Sequence, residues 1–197
     1  MPSKRIFVAV DISDEARRRA ADHIDKMRAL AESVRVGWER AQKLHVTLKF
    51  LGKVDEGIVP NVSDTAASVA ASFTPFQMAL VATGVFPSLK KPRVLWLGIN
   101  EASVLPEIAA SLESRFSLLG FEPEARPFSP HLTIARVREP EKAKRLAEAH
   151  LQSRFGPIEF TVTELIVYES ILKPTGSVYA VVSKHSISPP DTSRSPR

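Results

Sequence analysis

Two short segments, His45-Val46-Thr47-Leu48 and His131-Leu132-Thr133-Ile134, each place an imidazole and a hydroxyl two residues apart. On an extended strand residues i and i+2 point to one face, so each segment presents both groups together. In the first, Lys43 and Lys49 share the face of His45 and Thr47, while Leu44, Val46, Leu48 and Phe50 form the opposite, apolar face. In the second, Pro130, Leu132 and Ile134 point away from His131 and Thr133. Histidine titrates at about pH 6.5, so one imidazole can be neutral while its twin is protonated. That is the requirement of general acid–base catalysis, one proton removed and one delivered. Phosphoryl displacement needs the attacking and leaving oxygens roughly in line, and two imidazoles flanking one phosphorus supply that geometry. Thr47 and Thr133 would then donate to the equatorial oxygens. Alternation leaves open which histidine is the acid. Two histidines with no carboxylate at ligand spacing make a poor zinc set, so the expectation is catalysis without metal or cofactor.

The elements that must carry these residues repeat. Ile6 to Val10 reads as a strand and Ser13 as a helix start, with the helix continuing to about Ala31. Lys43 to Leu51 alternates and is closed by Gly52; a helix follows within 55–72, then a strand from Phe76 to Phe86. After a turn-rich basic loop the order starts again: strand 93–99, helix 104–119, strand 131–137, helix 139–153 and strand 158–168. Arg5 and Arg93 are 88 residues apart, His45 and His131 are 86 apart, and Phe86 and Tyr168 are 82 apart. The near-constant offset marks a duplication, about 5–86 and 93–168. The chain reads as one domain, 1–185, with a last strand from Val178 to Ser183. Residues 186–197 are rich in Ser and Pro and read as a disordered tail.

Composition narrows the class. The 197 residues are 44% apolar and 25% charged, which excludes wholesale disorder and fibrous repeats. Cysteine is absent, so disulfides, thiol catalysis and Cys-containing metal sites are excluded, and a reducing cytosol fits. Lys and Arg number 27 against 22 Asp and Glu, a net charge of +5 that favours a polyanionic partner. No apolar run approaches the roughly 18 residues of a membrane span, and the apolar run after Met-Pro-Ser-Lys-Arg is too short for a signal peptide. The expectation is a cytoplasmic protein with no membrane partner, working as a monomer.

The chain resembles the 2H phosphoesterases, and within them the bacterial and archaeal RNA 2′,3′-cyclic phosphodiesterases, historically described as 2′-5′ RNA ligases. The resemblance runs from about Arg5 to Lys184 through RIFVAVDI, HVTLKFLG, GVFPSLKKPRVLWLGI, FSPHLTIAR and LIVYESILKPTGSVY. It implies an α+β fold of two pseudo-twofold lobes, each with an antiparallel sheet and helices, and an active-site groove between them. It implies His45 as proton donor to the leaving oxygen, His131 as proton acceptor, and Thr47 and Thr133 as phosphate-binding hydroxyls. The implied reaction is hydrolysis of an RNA 2′,3′-cyclic phosphate end, tRNA fragments included, to a 2′-phosphomonoester. The alternatives are 2′-5′ ligation, the same chemistry on a small cyclic nucleotide or ADP-ribose cyclic phosphate, and a nucleotide- or RNA-binding module without turnover. Two intact His-x-Thr pairs argue against the last.

Further candidates follow from the flanks. The family commonly has Arg at the position of Arg136; straight alternation would turn it to the core, so a phosphate role requires a strand end or bulge there. Lys90, Lys91 and Arg93 form a basic loop able to touch an RNA backbone. Phe128 and Tyr168 are candidates for base stacking, with Phe86 alongside; Phe50, in phase with Leu48, is expected in the core, as are Trp38 and Trp96. Arg17 is expected on an exposed helix face. His23, His150 and His185 receive no role.

Overall fold

The computed structural model describes residues 2–100, 104–174 and 176–188. Strand β1 (Ser3–Asp11) sends Ile6, Val8 and Val10 into the core and turns Phe7 and Ala9 to the other face. Helix α1 (Asp14–Ala29) starts where the Ser13 hydroxyl accepts from the Ala16 amide at 3.2 Å, with Asp14 and Glu15 in the first turn. The cap satisfies a free N–H and the acids oppose the helix dipole. Ala16, Ala20, Ile24 and Met27 form its buried stripe, at helical spacing. There follow β2 (Val36–Trp38), β3 (His45–Asp55), α2 (Val59–Ala70), β4 (Phe76–Phe86), β5 (Val94–Ile99), α3 (Leu105–Leu118), β6 (His131–Val137), α4 (Lys144–Gln152), β7 (Ile158–Val162), β8 (Glu164–Lys173) and β9 (Gly176–Ser186).

The strands form two antiparallel sheets, ordered β3-β1-β8-β9 and β2-β6-β5-β4-β7. Helices α2 and α3 pack on the first sheet, and α1 and α4 on the second. The α+β class and the two sheets agree with expectation, but the halves of the repeat are not the two lobes. Strand β4, the last of the first half, lies beside β5; its counterpart β8 lies beside β1. Helices α1 and α3 cross over in the same sense. Each half therefore completes the sheet of the other.

Register decides what faces the groove. Along β1–β3, Ala9 pairs with Thr47 but Val8 pairs with Lys49, leaving Leu48 as an extra residue. Along β5–β6, Trp96 pairs with Thr133 but Leu95 pairs with Ala135, leaving Ile134 extra. The same bulge thus stands three residues after each histidine. A bulge reverses the facing of everything beyond it. Lys49, expected beside His45, is only 5% exposed on the core side, and Phe50, expected in the core, is 47% exposed on the groove side. In β6 the same inversion turns Arg136 out of the core.

Three other expectations are corrected. Gly52 does not end its strand: it takes φ 72°, within a second register shift, and β3 continues to Asp55. Trp38 packs against the core as expected, but only half-buried and from the edge strand β2, opposite Ala135 and beneath the Arg28 guanidinium at 6.0 Å; that strand was not expected, because three residues around a glycine gave no strand signal. The tail does not begin at residue 186. Ser186 closes β9 opposite Glu164, and Ile187 is buried with its amide donating to the Thr163 carbonyl at 2.8 Å. Residues 189–197 of that expected tail lie outside the described residues. Among the described residues no helix is long and apolar enough to cross a membrane.

Candidate active site

Each histidine opens its strand, and each is oriented by the carbonyl two residues earlier. His45 Nδ1 donates to the Lys43 carbonyl at 2.6 Å, and His131 Nδ1 donates to the Ser129 carbonyl at 2.7 Å. With Nδ1–H committed to the backbone, Nε2 is the atom each ring offers for proton transfer. His45 Nε2 lies 3.1 Å from the Thr47 hydroxyl. The turn before β3 is held by Arg17, which donates to the Ala41 and Leu44 carbonyls at 2.7 and 3.1 Å and pairs with Asp11. Arg17 is therefore a structural clamp under His45, not the exposed helix residue that its Arg-rich context implied.

Burial is the main cause lowering both imidazoles below the ordinary histidine value. The backbone carbonyls oppose it, and the Arg136 guanidinium pushes both rings further down. Asp11, the strand partner of His45, favours its imidazolium, although Arg17 partly offsets this; no carboxylate acts on His131 in the same way. The two rings are thus made unlike despite equivalent backbones. Arg136 faces Glu39 at 4.0 Å; burial raises the Glu39 carboxyl above its usual range, and Arg136 counters it.

Aromatic rings line both sides. Under His45, Phe7 stacks at 4.9 Å and Tyr179 meets the ring edge-on at 5.2 Å, with Tyr168 at 5.9 Å. Burial and then Asp11 push the Tyr168 hydroxyl up to about 12, so it stays a neutral donor. Beside His131, Phe86 sits edge-on at 5.0 Å and Trp96 at 6.3 Å. Trp96 pairs with Thr133 and shares its face, so it belongs to the groove and not, as expected, to the core. Its indole lies flat on Gly84, where an added Cβ would come within 2.0 Å of it. Gly84→Ala should therefore displace Trp96 towards His131, costing about 1–3 kcal/mol of stability by overpacking and lowering kcat/KM about tenfold. Thermal melting and steady-state kinetics check this, and wild-type values in both would contradict it.

A cleft of about 740 Å³ opens between the sheets, with Thr47 and Phe50 on one side and Phe86 and His131 on the other. Phe50 stacks on Phe7 at 6.4 Å, with the Arg5 guanidinium 5.4 Å over its ring. The connection before β6 forms the remaining wall through Arg126 and Phe128. Lys49 fastens that wall: its ammonium donates to Glu113 Oε1 at 2.8 Å and to the Glu122 carbonyl at 3.0 Å, while the Glu124 amide donates to the same Glu113 oxygen at 2.9 Å.

Of the residues singled out in the sequence, His45, Thr47, His131, Thr133, Arg136, Phe128 and Tyr168 come together at or beside the cleft. Lys90, Lys91 and Arg93 do not line it; they are exposed, and Lys91 pairs with Glu141 at 3.7 Å. Sequence reasoning missed Asp11, Glu39, Tyr179 and Lys49. Asp11 directly follows the IFVAV run and could have been found as the end of a strand adjoining His45. Glu39 and Tyr179 had no spacing signal. Among the described residues no three His, Asp or Glu side chains cluster as metal ligands.

Paired His-x-Thr strands meeting at one cleft, between sheets that exchange strands, define the 2H class of fold and site. The sequence model of the 2′-5′ RNA ligase superfamily matches residues 14–172, and the chain belongs to that family. It is 32% identical over 179 residues to the RNA 2′,3′-cyclic phosphodiesterase of Thermotoga maritima, covering 90% of this chain and 92% of the relative. It is 33% identical over 180 residues to the protein of that name from Methanothermobacter thermautotrophicus, covering 89% and 94%. Among solved structures, a Thermus thermophilus protein matches with TM-score 0.79 at 28% identity, over 94% of this chain and 99% of that one. E. coli LigT in complex with NADP+ matches with TM-score 0.71 at 26% identity, over 95% and 99%.

Proposed function

We propose that this protein hydrolyses RNA 2′,3′-cyclic phosphate ends to 2′-phosphomonoesters by two-histidine acid–base catalysis without a metal. The observation that carries the reading is the pair of imidazoles, each with Nδ1–H bound to a backbone carbonyl, which leaves Nε2 as the nitrogen for proton transfer. Relatives about a third identical, over most of their length, carry the name of this activity.

His131 Nε2 takes a proton from water as its oxygen attacks phosphorus, the P–O3′ bond breaks, and His45 Nε2–H gives its proton to O3′. The product keeps the phosphate on O2′. The Asp11 carboxylate, which favours the imidazolium of His45 alone, supports His45 as the acid and His131 as the base. Thr47, Thr133 and Arg136 hold the equatorial oxygens, replacing water by fixed donors. The rings of Phe50, Phe86 and Phe128 form the side on which the terminal base stacks. In this reading the acid, the base and the phosphate donors are all supplied by side chains, so the reaction needs no metal. The working form is a monomer in the cytoplasm.

The test is incubation with a 2′,3′-cyclic mononucleotide and with a cyclic-ended oligonucleotide, with and without a strong chelator, the product identified by phosphorus NMR. The expected result is a 2′-phosphomonoester formed at an unchanged rate in chelator. A 3′-phosphate product, or activity lost in chelator and restored by a divalent ion, would overturn the reading.

A further inference from the structure

We propose that a shallow basin beside the cleft, at the β2–β6 edge, is a subsite for the phosphodiester preceding the cyclic end of an RNA strand. The proposal rests on the reading above and extends the substrate from a terminal nucleotide to a chain.

The basin, of about 590 Å³, is lined by the segment Val34–Gly37 and by Arg138. Its place follows from the β6 bulge. Beyond Ile134, Arg136 and Arg138 are both exposed while Val137 is buried, so the two guanidinium groups leave the strand on one side. Gly37 is the direct strand partner of Arg136, and partners across a sheet share a face. The phosphate-binding line of Thr133 and Arg136 thus continues into the basin. The Arg138 guanidinium lies over Gly37, opposite Arg136, roughly 10 Å of extended chain beyond Thr133. A nucleotide whose phosphate lies at the histidines does not bring that phosphate to Arg138; a preceding phosphodiester reaches it.

The chemistry fits an anion with oxygens to spare. A Cβ added at Gly37 would lie 3.8 Å from one terminal nitrogen of Arg138, so the guanidinium lies over bare backbone. Among the described residues no carboxylate lies within 4.0 Å of it. Arg35 faces Glu139 at 3.7 Å, but that carboxylate is also held by Lys142 at 2.8 Å. The Arg93 carbonyl accepts from the Val137 amide at 2.9 Å, which sets one residue of the expected basic loop on the other side of β6 from the basin. A planar guanidinium suits two phosphate oxygens at once and stays charged at every working pH. The opposite flank of the site is aromatic, so the two flanks differ in kind: rings for the base, guanidinium groups for the chain.

The test measures binding of two stable products, a 2′-phosphomononucleotide and a tetranucleotide ending in a 2′-phosphate, by calorimetry at several salt concentrations. Wild type should bind the tetranucleotide more tightly. Arg138→Gln should lower the ratio of tetranucleotide to mononucleotide affinity about tenfold and reduce the salt slope by about one. Gly37→Val, which fills the basin floor without changing charge, should lower that ratio in the same direction. Equal binding of the two ligands by wild type, or equal losses for both in Arg138→Gln, would overturn the subsite. Because products are bound and not turned over, a failure of hydrolysis would count against the activity and not against the subsite.

Discussion

His131→Ala and His45→Ala should each lower hydrolysis of a cyclic-ended substrate by at least about a hundredfold, the scale on which general acid–base groups act. Neither change should unfold the protein. Both rings stand on the cleft side of strands whose other faces hold Leu44, Val46, Leu132 and Ile134 in the core. Each loses a hydrogen bond to a carbonyl beside the opening of its strand, and His45 also loses its contact with the Thr47 hydroxyl. Circular dichroism and melting temperature check the fold, and steady-state kinetics check the rate. A folded variant that keeps most of its activity removes that histidine from the mechanism.

Arg136→Gln is expected to have the next largest effect. Removing a charge-assisted bond to the phosphate should cost about 1.5–3 kcal/mol of transition-state stabilisation, roughly ten- to a hundredfold in kcat/KM. The pH profile should move as well, and the sign is fixed. Both imidazoles sit below the ordinary histidine value, so the singly protonated pair, and with it the optimum of kcat/KM, lies on the acid side of about pH 6.5. The Arg136 charge is one of the causes that lower both rings. Its removal lets both rise, so both limbs of the bell should shift to higher pH. A profile that keeps its position while activity falls would separate Arg136 from the histidines.

What the sequence showed and what it hid divide along physical lines. His45, Thr47, His131 and Thr133 were legible because side-chain alternation is a local property and the motif occurs twice in register with a repeat. Arg136 was legible only as a condition, a bulge that would free it. The matching bulge in β3 was not foreseen, because HVTLKF alternates without a break and nothing local marks Leu48 as the extra residue. Pairing with β1 decides it, and the facing of Lys49 and Phe50 inverts as a result. The exchange of β4 and β8 between sheets was hidden for a related reason: a repeat shows which segments are alike, not which become neighbours. Tyr179 comes from a segment distant in sequence, and Glu39, though six residues before His45, is placed by the backbone bond of its amide to the Ile134 carbonyl; no spacing rule connects either to the histidines.

The division of labour between the histidines is the central claim, and leaving-group chemistry tests it most directly. A cyclic substrate with sulfur in place of the bridging 3′ oxygen releases a thiolate, which needs no proton from an acid. The rate of this substrate relative to the oxygen parent should rise sharply in His45→Ala and stay near the wild-type ratio in His131→Ala, because water must still be deprotonated. Selective rescue of His131→Ala would exchange the two roles, and equal ratios in both variants would contradict acid–base catalysis by this pair.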